Sequence, residues 1–332
     1  MMTEPPHSPK THSPKTHAPK TRTQETQPPV IHPPERMPAT LSELGSPLVS
    51  ARSAEIYHWQ DGEILKLFRA GFCENSARQE KLNAEEAHRQ GATSIECLGQ
   101  VSIENRSGIV MKRLDGRTLT ERADANPLHI WGLPYTLARL HADVHNARSE
   151  KMQDIRQIIA GFLQHSVMDF LTSAEKQTAL AYLASLPDGN AILHMDFHTG
   201  NILVNARTET VIDWATAARG DAGADIAMTC FLFNEAELFP GISKAQEVFY
   251  NLMRRMIYRR YFRHYLRIRK LNKVKVKQDI DLWYPAVLIC RLALWSAPTE
   301  IKPLQQKIRQ RLQGLSTAQK ITGKIAGKAD AR

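Results

Sequence analysis

The chain has 332 residues, 42% of them hydrophobic, and 44 lysines and arginines against 34 acids give a formal charge of +10. That length buries a sizeable core in two lobes, and the basic excess directs attention to anionic partners. The cysteines Cys73, Cys97, Cys230 and Cys290 are far apart and form no C-x-x-C. With no secretory leader they read as reduced thiols of a cytoplasmic protein.

Residues 1–40 are proline-rich and hold three near-copies of a five-residue unit between His7 and Thr21. They contain too little apolar surface to offset the entropy of ordering, so a disordered tail is expected. Its Ser8-Pro9-Lys10 and Ser13-Pro14-Lys15 units could touch nucleic acid or accept phosphate; a plain tail is the simpler reading. Residues 62–68 read as a strand with apolar flanks around Lys66, and residues 75–90 as a helix carrying Glu80, Glu85 and Glu86. Another apolar strand, 109–114, runs into Asp115-Gly116. The helix predicted over 134–148 carries His141 and His145 four apart with Asp143 between them. That spacing allows a zinc pair, but Leu137, Ala138 and Leu140 favour a packed structural face. Residues 286–295 are apolar yet too short, and interrupted by Arg291, for a membrane span. Residues 316–332 read as a second loose tail.

The most specific stretch is His194-Met195-Asp196-Phe197-His198-Thr199-Gly200-Asn201, with Val211-Ile212-Asp213-Trp214 close behind. The apolar runs Ile202-Leu203-Val204 and Val211-Ile212 flank polar residues 205–210, as the arms of a β-hairpin flank its turn. The turn midpoint falls near Arg207, which places Asn201 and Asp213 opposite each other across the arms. Asp196 lies on the loop entering the same end. Two carboxylates and an amide oxygen at one mouth suit Mg²⁺ bridging to a substrate phosphate. A rival reading takes His194, Asp196 and His198 as a zinc or iron centre of a metallohydrolase, which leaves Asn201 and Asp213 unexplained.

These residues resemble the H-G-D-x-x-x-x-N and I-D-W elements of the aminoglycoside phosphotransferase and choline kinase-like family, within the protein-kinase-like superfamily. Arg219-Gly220-Asp221-Ala222-Gly223-Ala224-Asp225-Ile226-Ala227 resembles its G-D-x-x-x-D-x-A segment, whose aspartates would buttress the catalytic loop. Met195 departs from the pattern, standing where glycine is usual. The resemblance implies an α+β bilobal kinase-like fold, with a small antiparallel β N-lobe over 41–113 and a mainly helical C-lobe over 114–315. It implies ATP and Mg²⁺ as cofactors and a small-molecule hydroxyl as acceptor. Asp196 would be the catalytic base, and Asn201 and Asp213 the Mg²⁺ ligands. Lys66 would hold the α- and β-phosphates, oriented by Glu80, with Glu85 as fallback and the other acids of that helix solvated. Residues 48–57 occupy the place of the glycine-rich loop but contain no glycine, leaving Ser50, Arg52 and Ser53 as donors. Met111 to Arg113 would be the hinge whose backbone meets adenine. No D-F-G to A-P-E activation segment follows Asp213, which disfavours a protein substrate.

Residues 254–277 hold many arginines and lysines and no acid, interleaved with Tyr258, Tyr261, Phe262, Tyr265 and Leu266 at helical spacing. One face can pack while the other stays basic. A solvated helix, or a surface for an anionic substrate, nucleic acid or membrane, fits this pattern. The sign argues against a polycationic aminoglycoside as acceptor, although Glu235, Glu237, Glu247, Asp279 and Asp281 lie nearby. A nucleotide-free pseudokinase or basic binding module is the alternative if the glycine-free loop does not take ATP.

Overall fold

The computed structural model describes residues 40–72, 74–237, 242–295 and 297–329, without the side chains of residue 295 and of those from 316 onward. The repeat-bearing tail and Cys73 lie outside the described residues. A short helix, α1 (Leu41–Leu44), precedes an antiparallel sheet of order β1-β2-β3-β5-β4. Its strands are β1 (Val49–Ser50), β2 (Ala54–His58), β3 (Glu63–Phe68), β4 (Cys97–Ile103) and β5 (Arg106–Lys112), with helix α2 (Glu74–Arg89) between β3 and β4. Strand alternation sorts β3 into two faces. Leu65 and Leu67 pack with Tyr57, Ile103 and Val110 on the outer face. Ile64, Lys66 and Phe68 share the inner face, where Phe68 meets the core that contains Ala77, Ala84 and Ala87 of α2. Lys66 is therefore directed inward by its parity in the strand.

The remainder is mainly helical. It comprises β6 (Arg117–Thr118), α3 (Leu119–Ala125), α4 (Leu133–Asn146), α5 (Ile155–Phe162), α6 (Ser173–Ser185), β7 (Ala191–Leu193), β8 (Ile202–Val204), β9 (Glu209–Val211), β10 (Ala218–Gly220), α7 (Ala222–Asn234), α8 (Lys244–Ile268), α9 (Lys273–Trp295) and α10 (Pro298–Ala329). One core runs from the inner face of the large sheet through α4 and the β8–β9 hairpin to Tyr261, Phe262 and Tyr265 of α8. A second joins α5, α6, α7, α9 and α10 around Trp283 and Phe231. The fold is the bilobal kinase-like α+β arrangement implied by the resemblance. Ala286, Val287, Leu288, Ile289, Cys290 and Leu292 belong to the second core, and among the described residues no helix is long and apolar enough to cross a membrane.

Two expectations change. The β8–β9 register pairs Ile202 with Val211 and Val204 with Glu209, and the Ile212 amide donates to the Asn201 carbonyl at 2.9 Å. Asn201 thus faces Ile212, not Asp213. The turn centres between Ala206 and Arg207, with Asn205 N–H donating to Thr208 C=O at 3.0 Å, so the register is one residue off the expected one. The basic stretch is also not one helix. It breaks after Ile268, where Lys270 adopts φ +52°, and resumes as α9.

Candidate active site

The segment between β7 and β8 owes its shape to Asp225, in the first turns of α7. The Asp225 carboxylate accepts the backbone N–H of His194 at 2.5 Å through Oδ2, and that of Met195 at 3.0 Å through Oδ1. Asp221 acts elsewhere, capping α7 through Gly223 N–H and accepting from Trp283 Nε1. His194 donates from Nε2 to the Ile212 carbonyl at 2.9 Å and accepts the Asp196 N–H at Nδ1. Both of its ring nitrogens are engaged, so it offers no ligand atom to the metal centre considered as the rival reading. His198 Nδ1 accepts Gly200 N–H at 3.0 Å, while its Nε2 lies 3.6 Å from Asp196 Oδ2. Asp196 is held at the mouth of this loop with its carboxylate partly exposed.

Met195 explains its own departure from the family pattern. It is fully buried and sits at φ +61°, the left-handed region that favours glycine. The site carries backbone strain of order 1–3 kcal/mol in exchange for a packed side chain. Met195→Ala keeps the strain and loses the packing, so thermal unfolding should show it destabilised by about 2–5 kcal/mol. Met195→Gly also relieves the strain, and should be the milder substitution. The reverse order would show that the Met195 backbone is not strained.

Asn201 closes the loop. Its Nδ2 donates to the Asp196 carbonyl at 3.0 Å and to Asp196 Oδ2 at 3.2 Å, which leaves the amide oxygen for a cation. Asp213 leaves β9 at φ +64°, and its Oδ1 accepts from Lys66 Nζ at 3.1 Å. Lys66 also donates to Glu80 Oε1 at 2.6 Å. The structure thereby joins three residues from β3, α2 and the exit of β9, drawn from both lobes. Lys66 and Glu80 are buried, whereas the Asp213 carboxylate is 36% exposed. Burial pulls Lys66 toward neutrality, but Asp213 and Glu80 outweigh it and hold the ammonium above the usual lysine range. Burial likewise opposes the charge of Asp213, and Lys66 overcomes it and holds the carboxyl below its usual value. Burial raises the carboxyl of Glu80, which makes Asp213 the principal counter-charge to Lys66.

The stripe Ala77, Glu80, Ala84, Ala87 explains the reach of α2: small residues three and four apart let the helix lie close to the sheet, bringing Glu80 to Lys66. Glu85 pairs with Lys81 and not with Lys66. Glu86, grouped above with the solvated acids, is buried instead. It accepts from Arg89, Gln90 and Ser149 Oγ, the last a cross-link to the loop after α4. The Arg89 guanidinium, with Ser149, holds its carboxyl down to about 2 from a usual 4.5. A depressed carboxyl stabilises the fold above its unfolded value and loses that contribution as pH falls through its folded value. Stability from Glu86 should therefore fade between pH 4.5 and 2, and acid unfolding of Glu86→Gln should be less steep in that window.

Asn83 was not singled out as a site residue by sequence. It lies one turn beyond Glu80 and donates through Nδ2 to the carbonyls of Trp214 and Ala217, tying α2 to the segment that carries Asp213. Thr93 supports the same segment through the Val211 carbonyl. Their signal was present only as spacing from Glu80. The glycine-free loop has its own brace: Arg69, beyond β3, donates to Ala51 C=O and Ser50 Oγ, and its N–H meets Ser53 C=O at 2.9 Å. Ser53 is half-buried beside β2. At the hinge, Met111 is buried and paired with Ile64 and Cys97, and Arg113 N–H already donates to Gly62 C=O.

A two-lobed chain with a lysine–glutamate pair in the upper lobe and an Asp–Asn loop in the lower defines the kinase-like class. The model of the phosphotransferase enzyme family (APH) matches residues 45–267, more than half of the chain. The chain belongs to that family. Among solved structures it is similar to a thermostable mutant of aminoglycoside phosphotransferase APH(4)-Ia in ternary complex with ADP and hygromycin B, with TM-score 0.51 and 15% identity over 82% of this chain and 95% of that one. A second mutant of the same enzyme, with AMP-PNP and hygromycin B, gives TM-score 0.51 and 15% identity over 81% and 92%. Amicoumacin kinase hAmiN in complex with AMP-PNP, Ca²⁺ and Ami gives TM-score 0.47 and 14% identity over 84% and 90%. No curated protein sequence matches the chain.

Proposed function

We propose that the protein is an ATP- and Mg²⁺-dependent phosphotransferase acting on a hydroxyl of a small molecule. The observation that carries this reading is the contact chain Glu80–Lys66–Asp213, which converges on the mouth containing Asp196 and Asn201. Lys66 holds the α- and β-phosphates, and Glu80 fixes its ammonium. Met111 and Arg113 supply backbone carbonyls to adenine, and the braced loop at Ser53 covers the phosphates. Asp196 orients the acceptor hydroxyl and takes its proton. The Asn201 amide oxygen and the ionised Asp213 carboxylate form the hard donor set that suits Mg²⁺. When bound, the ion neutralises charge on the phosphates. The ADP and AMP-PNP held by the two similar structures support nucleotide use.

The acceptor is a small molecule of neutral or anionic character. A cavity of about 740 Å³ between α7, α8 and α9 is lined by Arg259, Arg263, Lys273 and Lys277, with Asp281 as its acid. Among the described residues these four cations make no ion pair. Of the five nearby acids, two are ion-paired: Glu235 with Lys307 and Asp279 with Lys275. The test is incubation of the purified chain with Mg²⁺-ATP and a metabolite extract, followed by mass spectrometry. A product bearing one added phosphoryl group, absent with Asp196→Asn, is the expected result; ATP-independent products would refute it.

A further inference from the structure

Directly behind the catalytic loop, α4 and α7 bring two imidazoles and a carboxylate together. His141, His145 and Asp225 are all completely buried. His141 Nε2 lies 3.2 Å from Asp225 Oδ2, and His145 Nε2 lies 3.3 Å from the same oxygen. All three ligand-capable atoms fall within 4.8 Å of one another. Asp143, the acid between the two histidines in sequence, points elsewhere and pairs with Arg139.

A hydrogen-bonded triad explains only part of this arrangement. His145 Nε2 is aligned to donate to Asp225, but His141 Nε2 is not, and it remains a buried nitrogen without a hydrogen-bond partner. Such an atom costs free energy wherever it is left. A shared cation accounts for the misalignment of His141, because its Nε2 is then directed at the ion and not at the carboxylate oxygen. A tetrahedral zinc with bonds near 2.1 Å places its N and O ligands about 3.4 Å apart, close to the two separations found. The ring orientations are fixed from outside. His141 Nδ1 meets Tyr261 OH, and His145 Nδ1 meets Tyr265 OH, each at 2.7 Å. With Nδ1–H donating to those hydroxyls, Nε2 carries the lone pair, the outer-partner arrangement typical of ligating histidines. Phe197 stacks on the His141 ring at 4.0 Å and 7°, which holds its plane.

We propose that His141, His145 and Asp225 form a buried zinc site beneath the catalytic loop. Two nitrogens and one carboxylate oxygen select zinc over magnesium, in contrast to the all-oxygen mouth at Asn201 and Asp213. The carboxylate that would bind the ion is the one that accepts the amides of His194 and Met195. Zinc there fixes the backbone that presents Asp196. The site is enclosed, so the ion enters as the chain folds.

The experiment is elemental analysis of the purified full chain, together with cobalt substitution by refolding in Co²⁺. About one zinc per chain and a visible tetrahedral Co²⁺ absorption are expected for wild type and for Asp213→Ala. At least a tenfold loss of bound metal is expected for His141→Gln combined with His145→Gln. Wild type carrying less than a tenth of an equivalent after refolding with Zn²⁺ would overturn the proposal. So would full retention of metal in the double variant. Should the double variant not fold, the wild-type cobalt spectrum decides alone. None of these readouts depends on ATP turnover, so the zinc site and the proposed phosphotransfer stand or fall separately.

Discussion

Asp196→Asn is expected to lower kcat by roughly 10²–10⁴-fold, the usual contribution of a positioned general base, while leaving the Kd for Mg²⁺-ATP within about threefold. The geometry makes this a clean substitution. Asn201 Nδ2 donates to the Asp196 main-chain carbonyl as well as to Oδ2, so the loop closure survives the loss of charge. An asparagine oxygen can accept the same hydrogen bond but cannot take a proton. Thermal unfolding of the variant should stay close to wild type, because the Asp196 side chain is only partly enclosed. Steady-state kinetics with the acceptor, paired with a calorimetric ATP titration, checks both halves. A kcat within tenfold of wild type would remove Asp196 from the role of base. A parallel collapse of stability would give it a structural role instead.

The second large effect concerns Lys66. Lys66→Met removes the only cation in the Glu80–Lys66–Asp213 chain and leaves two carboxylates facing each other, one of them buried. Breaking a buried pair from one side costs about 3–5 kcal/mol, because the remaining charge is desolvated without a partner. Nucleotide affinity should fall at the same time, since the phosphates lose their ammonium. Stability and binding can be separated with Lys66→Met plus Glu80→Leu, which replaces the pair by apolar groups on the inner face that Ile64 and Phe68 already occupy. The double variant is expected to regain most of the lost stability but none of the ATP binding. Recovery of binding along with stability would mean that Lys66 acts through the fold and not on the nucleotide.

What the sequence disclosed depended on how local the cause was. Strand parity around Lys66, the alanine-lined face of α2 and the octapeptide from His194 to Asn201 are set by neighbours in the chain, and each could be read from spacing. The pairing of Asn201 with Ile212 could not, because a two-residue hairpin loop and a longer one differ by a register that six polar residues do not specify. Asp213 reaches Lys66 through a left-handed backbone that no pattern at an aspartate announces. Glu86 looked like one more surface acid; its burial depends on Ser149, sixty-three positions away. Arg69 bracing a loop without glycine, and Tyr261 and Tyr265 reaching His141 and His145 from α8, are likewise products of packing between distant elements. The break between α8 and α9 came without glycine or proline, at Lys270.

Calorimetric titration of the full chain with ATP, with and without Mg²⁺, tests the central claim most directly. The account predicts saturable binding that strengthens with Mg²⁺ and weakens at least tenfold in Asp213→Ala, whose carboxylate is the ionised group beside Lys66. No heat of binding at millimolar ATP with Mg²⁺ present, from a folded wild-type chain, would contradict it.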